Sequence, residues 1–311
     1  MPGTYPPAPG TLSGDLLTIH RLLQSPTQIR RRLRTLADLR FVADQLLTQR
    51  FRSSGGAVLY EVSEPVYNER EISAVTPGAE YPRDTTANGT AATAAVSKWG
   101  QAVRVTDEKI KRSVYMGEEV DRSLRKLLNT VIRKVDRLTI AAIAAAVTQT
   151  QTATAVWSDL TSATILRDIE RAVGVVEDLD QGYKPDTILM STGRYAEFAS
   201  DDKINNLRRR ETTENPVYTG EIEVIAGLTI LKTSSGNLPT DDVWILDSKQ
   251  LGGMADETEV DPGYTVAEMG VQVQTERIAK ADAWDMWARR LTVPVVQEPG
   301  AAIRITSTAG S

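Results

Sequence analysis

Between Gly56 and Gly100 the chain offers two strand-like runs and very little to bury them with. Ala57-Val58-Leu59-Tyr60-Glu61-Val62 is one run, and Ala95 to Val105 is the other, both rich in residues that suit a pleated surface. Pro65, Pro77, Gly78, Pro82, Gly89 and many small residues lie between them. A two-stranded hairpin is marginal in water unless it rests on something, and a long connection without structure of its own is usually functional or disordered. The pattern predicts a long two-stranded excursion with a loose tip. Its unpaired backbone edges need partners, and since it cannot bury itself, the partner surface belongs to another subunit.

Helical periodicities flank the excursion. The first 14 residues are Pro/Gly-rich and read as flexible, and Leu16 to Leu23 fits a short helix. Ser25-Pro26 fits an N-cap followed by proline at the first helical position. Ile29, Leu33, Leu36, Leu39, Val42, Leu46 and Leu47 then recur at helical spacing, interleaved with Arg30, Arg31, Arg32 and Arg34. This predicts an amphipathic helix ending near Arg52. Residues 1–52 hold eight arginines, no lysine and three acids, on a chain whose net charge is −5. A basic arm on an acidic body reads either as a solvated basic helix or as a segment that meets nucleic acid or an acidic partner surface.

The strongest periodicity follows the excursion. Thr106-Asp107-Glu108 supplies a capping hydroxyl and two acids for a first turn. Ile110, Val114, Gly117, Val120, Leu124, Leu127, Leu128, Val131, Val135, Leu138 and Ala142 recur at three- and four-residue steps. A helix from Asp107 to about Val147 is predicted, on the order of 60 Å long, with Gly117 as a point of bending or breakage. Beyond Trp157 the texture is α/β. It comprises a helix over 162–176, a buried strand over 187–191, a short helix over 193–199, and a polar loop over 200–215 carrying Arg208, Arg209 and Arg210. Strands follow over 221–225, 228–233, 242–247, 271–278, 283–295 and 302–306, with Pro294 marking a strand end or edge.

The search for chemistry is mostly negative. The chain has no cysteine, which removes disulfides, thiolate metal sites and cysteine nucleophiles. Its one histidine, His20, lies in the basic arm and reads as a surface or interface residue. There is no Walker phosphate loop, G-x-G-x-x-G, G-x-S-x-G or H-E-x-x-H. Asp178-Leu179-Asp180-Gln181-Gly182 lacks the later ligands of a calcium loop and reads as a turn. Asn88-Gly89-Thr90 matches a glycosylation sequon and reads as an Asn-Gly turn. Ser248-Lys249 reads as a strand-to-helix turn ahead of a Ser/Lys dyad, and Trp284 and Trp287 read as core or subunit contacts. No catalytic, cofactor-binding or metal-ligating residue is assigned. The start of the chain lacks the apolar segment of a secretion signal. The longest apolar run, Ile140 to Val147, falls far short of the roughly 20 residues that span a bilayer.

The order of elements, basic arm, Gly/Pro-studded hairpin, very long helix, α/β region and closing strands, resembles the major capsid protein of tailed bacteriophages, the Hong Kong 97 type fold. The strings that carry the resemblance are Asp247-Ser248-Lys249-Gln250-Leu251-Gly252, the ending around Ala302-Ile303, and Ile140-Ala141-Ala142 near the close of the long helix. The resemblance implies an α+β fold with an N-terminal arm (1–52), an extended hairpin or E-loop (53–105), a peripheral domain with a spine helix (106–158), an axial domain (159–265) and strands returning to the peripheral domain (266–311). It implies a subunit of hexamers and pentamers in an icosahedral head assembled in the bacterial cytoplasm. Its partners would be further copies of itself, packaged double-stranded DNA, a portal, a separate scaffolding protein and a decoration protein, with no cofactor. Some members weld their shells by bonding an E-loop lysine to an asparagine on a neighbour. Residues 53–97 contain no lysine and Lys98 sits at the hairpin base, so no such bond is expected here. The candidate inter-subunit residues are Glu69, Arg70, Glu71, Glu80, Arg83 and Asp84 in the hairpin and Arg30, Arg31, Arg32 and Arg34 in the arm. The alternative reading is an encapsulin, a nanocompartment shell on the same fold that encloses cargo enzymes.

Overall fold

The computed structural model describes every residue except 1–40, 54, 69, 86, 87, 113–115, 205–221, 241, 258, 260, 261, 267–269, 310 and 311. His20, Arg208, Arg209 and Arg210 therefore lie outside the described residues. Within them the chain is a mixed α+β molecule built on two six-stranded sheets and one two-stranded hairpin.

A short turn of helix, α1 (Ala43–Leu46), leads into β1 (Gln49–Ser53). Of the amphipathic helix expected to run to Arg52, the part before residue 41 lies outside the described residues, and beyond it only Ala43–Leu46 is helical. Gln49 to Ser53 instead pairs in parallel with the strand Gly252–Glu257, because a free sheet edge offers this segment a full ladder. The hairpin consists of β2 (Ala57–Val62) and β3 (Thr90–Ala95), followed without a loop by β4 (Ser97–Thr106). The run expected as one strand from Ala95 to Val105 is thus split at Val96, with β3 pairing β2 and β4 joining the first sheet. Neither Asn88 nor Gly89 lies in a turn among the described residues. Gly89 sits at the open end of the hairpin, where a Cβ would lie 2.8 Å from the Val62 carbonyl oxygen.

Thr106 opens the helical region as expected, its Oγ1 accepting from the Lys109 N–H at 3.4 Å. The predicted long helix is described as α2 (Asp107–Arg112) and α3 (Met116–Ala146) on either side of residues 113–115. Ile110, Val120, Leu124, Leu127, Leu128, Val131 and Val135 of the predicted face are all buried. They pack α3 across β4 and the strand Ala283–Val296. The remaining elements are β5 (Thr150–Thr152), α4 (Ile165–Glu177), β6 (Thr187–Ser191), α5 (Thr192–Ser200), β7 (Val224–Ile225), β8 (Leu228–Thr233) and β9 (Val243–Leu246). Then come β10 (Gly252–Glu257), β11 (Thr265–Val266), β12 (Gln272–Ile278), β13 (Ala283–Val296) and β14 (Ala302–Thr306).

The first sheet runs β1-β10-β13-β12-β11, with β4 on the other side of β13. The second runs β5-β14-β9-β6-β8-β7, with α4 packed on β14 and β9. Sheet membership crosses the expected boundaries: β10, within 159–265, belongs to the first sheet, and β14, within 266–311, belongs to the second. Pro294 lies beyond the last β4 pair, Ser97 with Thr292, so β10 is its one strand neighbour among the described residues.

The string Asp247 to Gly252 carries the chain from the second sheet to the first. Asp247 Oδ1 accepts from the N–H groups of Lys249 (3.0 Å) and Gln250 (3.3 Å), and its Oδ2 accepts from Lys184 N–H (2.9 Å). Ser248 Oγ donates to Asp186 Oδ2 at 2.9 Å, so it serves the turn and forms no dyad with Lys249. Gly252 follows at φ 152°, where a Cβ would lie 2.1 Å from the Val295 carbonyl oxygen. Only glycine lets β10 come this close to β13.

Candidate assembly interface

Among the described residues between Ser53 and Val105, none is buried. The hairpin pairs from Ala57 with Ala95 to Val62 with Thr90. Alternation turns Val58, Tyr60, Val62, Ala92 and Ala94 to a half-buried face and leaves Ala57, Leu59 and Glu61 exposed. Large apolar side chains stand in solvent along it: Leu59 is 75% exposed, Val66 61%, Tyr67 58%, Tyr81 78% and Ile72 fully exposed. Apolar groups gathered on one projecting element mark an interaction surface.

Polar groups moor the hairpin to the body. Ser63 N–H donates to the Gln297 carbonyl oxygen (2.9 Å), and Glu64 N–H donates to Glu298 Oε1 (3.2 Å). The other carboxylate oxygen, Glu298 Oε2, accepts from the Tyr183 hydroxyl at 2.8 Å. Burial, and then this bond, hold the Tyr183 phenol protonated beyond its usual range. The Tyr67 hydroxyl engages Asp180 in the turn after α4, and that bond raises its pKa.

The sequence-predicted charges do not converge on one point. Arg70 N–H donates to Asp84 Oδ2 at 3.1 Å, closing the tip across 14 residues. Arg83 Nη2 lies 2.6 Å from Glu80 Oε1, both side chains being largely exposed. Such a pair is worth little on its own and leaves both groups accessible to a neighbour. Glu71 is exposed. Glu69, Arg30, Arg31, Arg32 and Arg34 lie outside the described residues.

Sequence reasoning missed the anchor of the arm. Arg290 on β13 is 1% exposed. Its guanidinium reaches Asp256 on β10 (Nε–Oδ1 3.1 Å, Nη2–Oδ2 3.0 Å) and Asp44 on α1 (Nη2–Oδ1 2.9 Å), and lies 4.6 Å from the Phe41 ring centroid. Asp136 on α3 accepts from the Ala43 N–H at 2.9 Å. Burial pushes its carboxyl up to about 6 despite that bond. The signal was an arginine in the middle of an otherwise core-facing strand, with its two partners far apart in sequence.

No group of three or more His, Cys, Asp or Glu able to hold a metal ion occurs among the described residues, and none of their helices is long and apolar enough to cross a membrane. The family model for phage capsid protein matches residues 89–305. The chain belongs to the phage capsid protein family. No curated protein matches its sequence. Solved structures show that this capsid protein carries the Hong Kong 97 type fold. A structure from Microbacterium phage Oxtober96 has a TM-score of 0.58 at 14% identity, covering 85% of this chain and 90% of the other. The capsid of cyanophage P-SCSP1u gives 0.58 at 16%, covering 86% and 88%. A virus-like particle from Pyrococcus furiosus gives 0.59 at 13%, covering 90% and 98%. A phage capsid protein is structural rather than catalytic, and it works as one copy among many in a virion.

Proposed function

We propose that this capsid protein is the major shell subunit of a tailed-phage head. Copies join as hexamers and pentamers of an icosahedral shell that encloses double-stranded DNA and is assembled in the bacterial cytoplasm with a portal, a separate scaffolding protein and a decoration protein. The observation that carries this reading is the run between Ser53 and Val105, which has no buried residue among those described and bears five large apolar side chains in solvent. A chain keeps such an element only where another surface covers it. Repeated contacts of this head-to-tail kind close into rings and shells.

The chain divides, in this proposal, into arm (1–52), E-loop hairpin (53–105), peripheral domain with spine helix (106–158), axial domain (159–265) and returning strands (266–311), with β10 and β14 crossing between the two sheets. Contacts across copies are non-covalent and involve Glu69, Arg70, Glu71, Glu80, Arg83 and Asp84 of the hairpin and Arg30, Arg31, Arg32 and Arg34 of the arm. Negative-stain microscopy of the purified protein, alone and with its neighbouring gene products, is expected to show closed shells. A monomer that stays compact and never enters a shell overturns the reading.

The likeness to a virus-like particle from Pyrococcus furiosus favours a second reading, an encapsulin-type nanocompartment shell enclosing cargo enzymes. Nucleic acid inside purified particles supports the first reading, and cargo protein supports the second.

A further inference from the structure

The body beyond residue 52 carries 28 basic and 38 acidic residues, yet one surface on it runs against that balance. Between Arg122 and Arg137 the chain has six cations, Arg122, Arg125, Lys126, Arg133, Lys134 and Arg137, and a single acid, Asp136. All six cations are exposed on α3, while Asp136 is buried and faces Ala43. At 3.6 residues per turn, Arg122, Lys126, Arg133 and Arg137 share an arc about 60° wide and extend about 22 Å along the axis. The opposite arc, with Leu124, Leu127, Val131 and Val135, is buried in the core.

Two of the six cations have a neutral group in contact. Arg137 Nε donates to Asn237 Oδ1 at 3.0 Å, and Lys134 Nζ lies 4.9 Å from the Trp99 ring centroid. In sequence the arginine-rich leader precedes Ala43, whose N–H donates to Asp136 on the same helix. A straight row of cations with rises of about 6 to 10 Å matches the repeating charge of a phosphate backbone and presents no fixed set of donors for reading base edges.

We infer that the exposed face of α3 from Arg122 to Arg137 is the surface on which this subunit takes the phosphate backbone of packaged duplex DNA. The inference rests on the proposal of a DNA-filled shell and names the surface that meets the contents. Binding is independent of sequence and weakens with salt, because each phosphate neutralised releases a counterion.

The test compares full-length wild type, the double variant Lys126→Gln with Arg133→Gln, and a charge-matched control, Lys249→Gln with Lys280→Gln, at exposed sites away from α3. Each is titrated against a short fluorescent duplex over a range of salt, with anisotropy as readout. The stripe variant is expected to flatten the plot of log affinity against log salt by about 2, and to bind on the order of 50-fold more weakly near 0.1 M salt. The control stays with wild type. Should the double variant fold poorly, Lys126→Gln alone is expected to flatten the slope by about 1. An unchanged slope and affinity overturn the inference, whether binding then rests on the arm or is absent. So does a stripe variant that binds DNA normally but loses an acidic partner protein. Shell formation by wild type, scored by microscopy on the same preparations, tests the shell reading separately: shells with an unaffected stripe variant sink this inference alone.

Discussion

Asp136 accepts a hydrogen bond from Ala43 while buried deeply enough that its carboxyl titrates at about 6, above its ordinary value. The folded state therefore holds this proton more tightly than the unfolded chain does. Its contribution to stability is fully present below about pH 4 and is lost as the pH rises through about 6. The span corresponds to on the order of 2–3 kcal/mol. Asp136→Asn cannot titrate, so its stability relative to wild type is expected to improve by that amount between pH 4 and pH 8 in chemical-unfolding measurements. A constant difference across that range would refute the assignment. Arg290 sits close by, and removing its charge leaves Asp44 and Asp256 facing one another partly out of water. Arg290→Met is expected to cost about 3 kcal/mol. Arg290→Lys should recover little of it, since an ammonium cannot fork to two carboxylates. Urea midpoints of the two variants check both statements.

The hairpin contributes almost nothing to the core of its own subunit, and that gives a sharp expectation at the scale of the element. Leu59→Ser with Ile72→Ser should change subunit stability by no more than about 0.5 kcal/mol while sharply reducing shell yield in sedimentation. Equal loss of both would mean that the hairpin is part of the subunit's own fold. Gly253 is the reverse case. A Cβ there would lie 2.4 Å from the Gln49 carbonyl oxygen, so Gly253→Ala should detach β1 from the sheet and expose its amides to hydrogen exchange. How far each element was legible follows from what holds it. The face of α3 was readable from Val120 to Val135, because one stripe packs on one sheet and periodicity reports that directly, while Leu138 and Ala142 are only half-buried. Gln49 to Ser53 continues a helical pattern locally and is a strand only because β10 lies beside it, a partner 204 residues away. The split at Val96 was hidden for the same reason. Ala95 and Ser97 look alike in sequence but pair with β2 and β13 respectively.

For the molecule as a whole, the absence of lysine from residues 53–97 leads to a plain outcome. Particles boiled in detergent should run as a single subunit band, and a ladder of covalent oligomers on the gel would contradict non-covalent closure. The candidate interface was legible as a need, since too little apolar mass around Gly56 to Gly100 means a missing partner. Its anchorage was not. Asp180 and Tyr183 lie in the connection from α4 to β6 and Glu298 lies 115 residues after Tyr183, and nothing in their local sequence shows that they converge on the hairpin root. The arm anchor was hidden likewise, because Arg290, Asp44 and Asp256 meet only after three elements have assembled.

Glu298 holds the hairpin with one oxygen and Tyr183 with the other. A lone subunit accordingly keeps its hairpin tethered, and lifting it toward a neighbour forfeits a bond or two, each worth about 1 kcal/mol. An isolated encounter between two copies scarcely recovers that loss, whereas a closed ring recovers it at every joint. This small toll would discourage stray pairs and leave completed circuits as the species that persist.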